Sequence, residues 1–465
     1  MSTQGARNAE QQVFDFIPGR GVVLESSAGQ LTSDAGLLAV RQFDERLGWS
    51  ERFAACIKDQ REDPVHSVLS MVRQRVYGIL AGYEDANDHD ALRDDPVFKM
   101  IAGKLPDDDP LASQPTLSRL ENMVNVSSLL RLADLTIAQG VERVRRKHGG
   151  AVPSRVTIDL DPTDDPTHGQ QQLTLFHGFY GQHQYYPMIV SEPTTKHVFV
   201  AWLRHGTAGA ALGADDDVRR VATALQRVNP KTRLLVRGDT NLGNPEMYKL
   251  CEQDGHDYTF GLGPNSRLKG WAEPLVRRAA ERYAATGEKQ RIFALRSYKA
   301  KTWNKRRTVV AKAECGPEGA NLRFIVTNLK VKNAKRAEET YDLYVQRGES
   351  EQRMDELKNG LCAGRLSCHR FKANFLRLML HTLAFNLLSA LRDHTAVPEE
   401  LRTARPETWR TKVIKVAATI EQTSRRVWVR VSRSWPFWGL LKSVSRRALR
   451  APALRAVPAA RAASP

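Results

Sequence analysis

The sequence predicts an α/β protein in which a mixed β-sheet with helices on its faces lies between a helical region and a basic one. Three observations support this. Residues 1–150 show helical spacing of apolar side chains, and residues 153–262 alternate short β-branched runs with helices. From residue 401 onward there are 15 Lys or Arg and two acids, a difference of 15 − 2 = 13 in a chain of net charge +18. Alternating strands and helices are typical of α/β domains.

The N-terminal region contains several candidate helices. Apolar residues at helical spacing predict helices over 35–47, over 65–80 and within 117–138. Ser33 precedes the first of them and is a candidate N-cap. The acidic stretches 84–95 and 107–109 are typical of loops and helix caps, which we prefer to a metal site.

Strands and helices alternate after Pro153. β-branched and apolar runs predict strands over 155–161, 184–191, 197–203, 233–237 and 257–262. Helices are predicted from Asp215 and over 245–253, and acids in the first turn of the former suit the helix dipole. The order β-β-β-α-β-α-β predicts a three-stranded meander with short turns, to which later strands add in parallel through crossovers. This is the layout of an RNase H-like core.

The rest of the chain divides by composition. Gly and Asn separate three predicted strands, 291–298, 308–313 and 322–327, and two strongly helical stretches follow, 343–361 and 371–391. The tail from Ala451 is rich in Ala, Arg and Pro, and we expect it to be disordered. The predicted organisation has five parts: a helical region 1–150, the first part of the core 151–262, a β-rich insertion 263–335, the helical part of the core 336–400, and a basic region 401–465.

Charge and cysteine content narrow the function. A net charge of +18 favours a polyanionic partner, nucleic acid before membrane. The sequence has neither an apolar stretch of 18 residues nor a signal-peptide core, so we expect a protein that stays inside the cell.

Five scattered cysteines argue against a disulfide framework. Cys362, Cys368 and His369 lie close together without a second ligand pair, so packing is preferred to a zinc site.

Two strand ends carry aspartates. Asp161 ends the first predicted strand and Asp239 follows the fourth, which should be its neighbour in the sheet. Carboxylates are the hard oxygen ligands that Mg²⁺ prefers, and two such ions support phosphodiester cleavage and strand transfer. Either aspartate alone is more typical of a turn or cap. Asp159 lies on the same strand face as Asp161 and competes with it for the first metal position.

A predicted helix over 344–358 offers the third carboxylate. Tyr344, Arg347, Glu351 and Lys358 share one helix face, which suits a metal ligand flanked by phosphate-binding cations. The alternative is a solvated face with an i,i+4 ion pair between Arg347 and Glu351. Gly348 lowers the stability of this helix, and a helix backbone that lies close to a partner would explain the glycine.

These residues carry a family resemblance. The spacing Tyr344-x2-Arg347-x3-Glu351-x6-Lys358 resembles the signature of the DDE transposases related to insertion sequence four. Four further segments resemble the insertion-sequence thirteen-eighty family within that superfamily: LTSDAGLL at 31–38, HGQQ from His168, RGD at 237–239, and RLSCHRF after the helix. The resemblance extends from about residue 21 to residue 438.

The resemblance implies cut-and-paste DNA transposition by an RNase H-like core. Asp161, Asp239 and Glu351 would hold two Mg²⁺ or Mn²⁺ ions, and Tyr344, Arg347 and Lys358 would bind phosphates at the transposon end. It also implies that residues 1–150 help to recognise terminal inverted repeats and that a homodimer holds two DNA ends. The expected location is the cytoplasm of a bacterial cell, on nucleoid DNA.

Some features depart from that pattern. Thr240, Asn241, Leu242 and Gly243 stand where Ser-Gly-Phe is expected, although Asp161 precedes Thr163 by two residues as in the relatives, which favours it over Asp159. A nuclease that cuts without joining and an inactive DNA-binding relic remain alternatives.

Two further groups of residues allow more than one interpretation. Loop hydrogen bonding is preferred for His168, His177 and His183, whereas the C-terminal tryptophans and arginines suit either base stacking or a core edge.

Overall fold

A computed structural model describes residues 12–18, 20–24, 29–393 and 397–451. The tail from residue 452 onward, which we expect to be disordered, lies outside the described residues. The N-terminal region is largely helical, as predicted. Its elements are β1 Gln12–Ile17, β2 Arg20–Leu24, β3 Leu31–Thr32, α1 Leu37–Leu47, α2 Trp49–Ala55, α3 Val68–Ala81, α4 His89–Leu92, α5 Pro96–Ala102, α6 Gln114–Met123 and α7 Val126–Lys147.

Side-chain caps mark the starts of three of the seven helices α1–α7. The side chain of Ser67 accepts a hydrogen bond from Ser70 N at the start of α3, and that of Asn125 accepts one from Ser128 N at the start of α7. Asp95 likewise caps α5, which confirms the cap interpretation for part of the acidic stretch. The predicted cap Ser33 is wrong: Gly36 occupies the N-cap position of α1, and the Ser33 hydroxyl donates to Asp34.

The middle of the chain builds one large sheet. Its elements are β4 Arg155–Pro162, β5 Asp165–Pro166, β6 Leu175–His177, β7 Gln182–Tyr185, β8 Met188–Glu192, β9 His197–Trp202, α8 Ala214–Gln226, β10 Arg233–Gly238, α9 Pro245–Gln253, β11 Asp257–Leu262, α10 Ser266–Thr286, β12 Gln290–Tyr298, β13 Arg307–Gly316 and β14 Gly319–Thr327. The strand order is β12-β13-β14-β11-β10-β4-β8-β9. β10 is parallel to both β4 and β11, as the crossovers predicted, and the other pairings are antiparallel.

The predicted meander is interrupted. Strands β4, β8 and β9 are antiparallel neighbours as predicted, but the predicted strand 184–191 is two strands that break at Tyr186 and Pro187. The chain between β4 and β8 leaves the main sheet and forms a separate sheet of order β5-β7-β6. A proline at the break cannot donate to a ladder, which favours a change of sheet there.

The segment after β11 differs from the prediction in two ways. It begins with the 21-residue helix α10, which was not predicted, and its three strands extend the large sheet. Leu262 at the end of β11 pairs with Phe324, so five residues of β14, 319–323, extend beyond that pair. The insertion therefore projects past the sheet edge at which β11 ends.

Helices and a small sheet complete the fold. These elements are α11 Ala334–Val345, α12 Gly348–Asp355, a π-helical turn Glu356–Gly360, α13 Phe371–Asp393, α14 Glu399–Arg402, α15 Pro406–Trp409, a π-helical turn Arg410–Ile414, β15 Ala418–Gln422, β16 Val427–Val431 and α16 Trp438–Arg450. The predicted continuous helix 343–361 is wrong, because a turn at Gln346 and Arg347 separates α11 from α12. Both turn residues keep right-handed helical dihedral angles, so the helical spacing across the turn is nearly preserved.

The two faces of the sheet meet different layers. Val156, Ile158 and Leu160 of β4 pack with α8, α9 and α10 in one apolar core, so Asp159 and Asp161 face the opposite side. Helix α13 is buried around most of its circumference, and it shares a second core with the N-terminal helices and with the C-terminal elements. β3 pairs with β15, which joins residues near the N-terminus to the basic region. In the described part of the chain, no helix is long and apolar enough to cross a bilayer.

Candidate active site

Asp161 and Asp239 lie at the same edge of the large sheet. β4 and β10 are parallel neighbours in which Asp159 pairs with Arg237. Asp161 lies two residues later on β4, and Asp239 directly follows β10. The predicted adjacency of the two strands is confirmed. Parallel strands end at one edge, so both carboxylates reach the same region of the surface, as in other open α/β sheets.

Asp161 is held by helix α12. Its Oδ2 accepts a hydrogen bond of 2.9 Å from the hydroxyl of Ser350, and Nη1 of Arg347 lies 3.7 Å from the same oxygen. Burial is the main reason that the pKa of Asp161 is raised, and the negative charges of Asp239 and Glu351 add to this. Arg347 and Ser350 oppose the shift. The three predicted carboxylates are therefore close enough to interact electrostatically.

Asp239 shapes the turn that follows β10. Its Oδ1 accepts hydrogen bonds from Asn241 N at 2.9 Å and Leu242 N at 3.2 Å. This is the turn-forming role that strand-end aspartates commonly have. The residues that depart from the family pattern, 240–243, are thus accommodated in a turn that the aspartate itself stabilises.

Glu351 is the most exposed of the three. Its side chain is 74% exposed, and its Oε1 lies 4.0 Å from Nη2 of Arg347. Arg347 consequently lies between Glu351 and Asp161. Burial lowers the pKa of Arg347, but the charges of Asp161, Tyr344 and Asp239 outweigh this effect and raise it. One guanidinium therefore offsets part of the negative charge of the three carboxylates.

The carboxylates do not form a complete ligand cage. Within the described residues, no group of three or more His, Cys, Asp or Glu side chains is arranged to hold a metal ion. The donor chemistry nevertheless suits Mg²⁺ or Mn²⁺, because all three candidates are carboxylates at one sheet edge. Glu351 would have to turn toward Asp161 before the three carboxylates could bind the same metal ions.

A cleft of about 540 Å³ runs beside Glu351. Tyr344, Arg347 and Glu351 lie on one wall, and Arg323 of β14 and Thr240 also line it. Two of the three predicted phosphate-binding residues are therefore brought together. The third is not: Nζ of Lys358 binds the loop after β4, 2.6 Å from Asp164 O and 3.2 Å from Thr163 Oγ1.

Two glycines bear on this arrangement. No atom from another part of the described chain comes within 4 Å of a Cβ built on Gly348, and the close approach to a partner stays a prediction. Gly261, which the sequence did not single out, is the crowded one. A Cβ at Gly261 would lie 2.7 Å from Oγ1 of Thr240 and 2.9 Å from the hydroxyl of Tyr344. Its lack of a side chain lets α11 approach β11.

The competing aspartate, Asp159, is fully buried. Both of its oxygens are bonded to Arg237, and one also accepts a hydrogen bond from Arg353. A carboxylate held by two guanidiniums has little capacity left for a metal, which supports Asp161 as the first ligand. The three residues of this cluster are separated in sequence, and only the fold shows that they meet. The one available sequence signal is that each lies two positions from a candidate ligand.

The histidines and cysteines for which a metal site was the less favoured alternative lie in separate groups. His183 packs edge-on against Phe176, and His177 packs against Tyr180 and Tyr186 in the hairpin β6–β7. His369 bonds to Gln170 O, and Cys368 bonds to Glu121, so neither is placed as part of a shared zinc site. Near Lys358, burial raises the pKa of Asp165 to about 8.

Comparison with known proteins identifies the family. The family model described as transposase DDE domain group 1 matches residues 14–453, which is 453 − 14 + 1 = 440 of the 465 residues. No curated protein matches the chain. Because the match covers nearly the whole sequence, the chain belongs to the transposase DDE domain family, group 1.

Proposed function

We propose that this protein is a DNA transposase that cuts at the terminal inverted repeats of an insertion sequence and joins the ends to target DNA. The main support is the meeting of Asp161, Asp239 and the helix of Glu351 at one sheet edge. We further propose that the sheet is an RNase H-like core and that the chain belongs to the insertion-sequence thirteen-eighty family within the insertion-sequence-four-related superfamily. The spaced motif from Tyr344 to Lys358 supports that placement.

Asp161, Asp239 and Glu351 would hold two Mg²⁺ or Mn²⁺ ions. Such ions activate the attacking oxygen and stabilise the leaving oxygen of a phosphodiester. Ser350 orients the carboxylate of Asp161, and the turn after β10 orients that of Asp239. Arg347 lies 3.7 Å from Asp161 and within electrostatic reach of Asp239, where a guanidinium can bind a phosphate through two hydrogen bonds.

The cleft gives the DNA strand a place next to Glu351. Its lining combines the Tyr344 hydroxyl with the cations of Arg347 and Arg323. Arg323 is exposed, and it lies on the part of β14 that projects beyond β11. A phosphate chain between these walls would neutralise the cations. Lys358 would join it only after releasing the loop of Thr163 and Asp164.

Two basic surfaces support DNA binding elsewhere. Residues 263–307 carry 13 Lys or Arg against three acids, a difference of 13 − 3 = 10, and most of these side chains on α10 and the following loop are exposed. In the C-terminal hairpin, Trp428 is exposed and lies between the guanidiniums of Arg426 and Arg430. Aromatic and cationic side chains in this mixture suit bases and phosphates.

The assembly and location are also proposals. A homodimer would hold the two transposon ends, with the N-terminal helices recognising the inverted repeats and the protein acting on nucleoid DNA in a bacterial cytoplasm. The family resemblance and the net charge of +18 support this. A nuclease that cuts without joining uses the same carboxylates, and a DNA-binding relic needs none of them.

An in vitro cleavage assay separates these possibilities. Purified protein is incubated with Mg²⁺ or Mn²⁺ and a fragment carrying the terminal repeats of its own element, and Glu351→Gln is compared with the exposed control Glu349→Gln. We expect the wild type and the control to cut and join, and Glu351→Gln to bind without cutting. Cutting without joined products would support the nuclease. Binding without cutting by the wild type would support the relic and overturn the proposal.

A further inference from the structure

Each element that carries a candidate metal ligand also contributes one residue to a buried charge cluster. Asp159 lies two positions before Asp161 on β4, Arg237 lies two positions before Asp239 on β10, and Arg353 lies two positions after Glu351 on α12. We call Asp159, Arg237 and Arg353 the Arg–Asp–Arg cluster. Their side chains are 0%, 2% and 5% exposed.

Hydrogen bonds connect the cluster to β8 and α11 as well as to the three elements that contribute its residues. Nε and Nη2 of Arg237 donate to the two oxygens of Asp159, at 2.6 and 2.9 Å, and its Nη1 donates to Leu343 O of α11 at 2.8 Å. Arg353 donates to Asp159 and, through Nε, to Ser191 Oγ of β8 at 3.1 Å. β4, β8, β10, α11 and α12 are thus joined through one carboxylate.

The cluster also fixes how α12 lies on the sheet. Ser350 bonds to Asp161, and Arg353, one helical turn later, bonds to Asp159. The helix therefore runs antiparallel to β4 with two matched contacts. At about 100° per residue, Arg353 and Glu351 point in roughly opposite directions, so anchoring Arg353 to the sheet directs Glu351 outward to the cleft.

Burying three charges is not an efficient way to stabilise a fold. The desolvation of a buried ion pair often cancels its attraction, and apolar residues of similar size commonly serve as well. A buried guanidinium that bonds at fixed angles does, however, define distances and orientations more closely than apolar packing does. Each member of the cluster lies two residues from a candidate ligand. This position indicates that the cluster defines the geometry of the candidate ligands.

We propose that Asp159, Arg237 and Arg353 are positioning residues that set the spacing between the strand-borne aspartates and Glu351. The inference rests on the proposed function. These side chains touch neither DNA nor metal. They hold β4, β10 and α12 in register, so that turning Glu351 toward Asp161 would complete the ligand set. Loss of one guanidinium fork would loosen that register and weaken metal binding.

The test compares Arg353→Lys and Arg237→Lys with the wild type. Arg392→Lys is the matched control, because Arg392 is equally buried, pairs with Glu356, and contacts none of the candidate ligands. Two quantities are measured for each protein: Mn²⁺ affinity by titration calorimetry without DNA, and the Mn²⁺ concentration that gives half-maximal cleavage. DNA binding and thermal unfolding are recorded alongside.

We expect both cluster variants to weaken Mn²⁺ binding by about tenfold to a hundredfold, as loss of groups that orient ligands does elsewhere. Excess Mn²⁺ should restore much of their cleavage, and Arg392→Lys should retain wild-type Mn²⁺ affinity even if it unfolds at a lower temperature. Cluster variants with unchanged Mn²⁺ affinity, or a change equal to that of Arg392→Lys, would overturn the inference.

Two further results cover the cases in which the lysine variants do not fold or the wild type does not bind Mn²⁺. If the lysine variants do not fold, Ser191→Ala removes only the outer bond of Arg353 and should weaken Mn²⁺ binding in the same direction. A Ser191→Ala protein with full Mn²⁺ affinity would then count against the cluster. A wild type that binds DNA but neither binds Mn²⁺ nor cuts would overturn the proposed function itself, which separates that failure from failure of the positioning role.

Discussion

The hydroxyl of Ser350 donates a hydrogen bond of 2.9 Å to Oδ2 of Asp161, and this bond ties the helix of one candidate ligand to the strand of another. The serine is buried, whereas the side chain of Asp161 is 20% exposed. The bond both orients the Asp161 carboxylate and opposes the rise in its pKa that burial causes. It therefore favours the ionised form that a metal requires.

Replacing Ser350 with alanine should slow DNA cleavage by about tenfold while DNA binding stays unchanged. A buried hydrogen bond to a charged group contributes roughly 1.5–3 kcal/mol, and part of that loss should appear in the reaction barrier. Single-turnover cleavage rates measure the effect. Ser389→Ala serves as control, because Ser389 is a buried serine bonded to Arg143 away from the site. Equal rates for both variants would contradict the assigned role of Ser350.

Replacing Arg347 with alanine should weaken binding to the transposon end and reduce the salt dependence of that binding by about one ion. Each phosphate contact that a cation makes contributes roughly one released counterion. The measurement is the dissociation constant by fluorescence anisotropy over a series of salt concentrations. Arg219 is exposed on α8 and provides the control variant Arg219→Ala. A salt dependence that Arg347→Ala leaves intact would show that Arg347 does not contact phosphate.

Adding a methyl group at Gly261 should disturb the cleft. The new Cβ would meet Thr240 Oγ1 at 2.7 Å and the Tyr344 hydroxyl at 2.9 Å, so Gly261→Ala should destabilise the fold by roughly 1–3 kcal/mol and slow cleavage. Gly263→Ala is the matched control, since its nearest neighbour is Thr240 Cγ2 at 3.6 Å. Thermal unfolding and cleavage rates are compared. Adding Tyr344→Phe to Gly261→Ala should restore part of the lost stability.

Asp165 should make stability fall as pH rises. Burial raises its pKa to about 8 in the folded protein, against about 4 in an unfolded chain, so the folded state binds the proton more tightly. Its stabilising effect is full below pH 4 and is lost as pH rises toward 8. Asp165→Asn should therefore unfold at a higher temperature than the wild type at pH 8, and the difference should shrink at pH 5.

Calorimetric melting curves from pH 5 to 9 test this. Asp216→Asn is the control, because the side chain of Asp216 is 76% exposed on α8. Its melting temperature should follow that of the wild type at every pH. A constant difference between Asp165→Asn and the wild type across the range would show that Asp165 does not change protonation there.

The sequence predicted the parts of the sheet that depend on local pattern. β-branched runs located β4, β9, β10 and β11, and the crossover rule placed β10 beside β4 in parallel. The prediction was wrong where contacts between distant parts of the chain determine the structure. Nothing local shows that residues 163–187 leave the main sheet, and α10 was missed although Asn265 caps it, because Pro274 lies in its interior.

The same distinction applies to the site. Strand ends and helical spacing were sufficient to nominate Asp161, Asp239 and Glu351, since each is read from its own element. Asp159 could not be separated from Asp161 by sequence, because both lie on one strand face. Asp159 pairs with Arg237 and Arg353, and these residues lie up to 353 − 159 = 194 positions apart. A periodic pattern of side chains along the sequence does not indicate a contact between such distant residues.

The pairing of Thr32 with Ala418 has a consequence for synthesis of the protein. The two residues are 418 − 32 = 386 positions apart, and Arg46 likewise donates to Ala451 O at 2.7 Å. During translation, the helices that follow Thr32 leave the ribosome long before their partner strand exists. Contacts of such long range form late and slowly. The apolar core that the N-terminal helices share with the C-terminal elements is therefore completed only when the basic region has emerged.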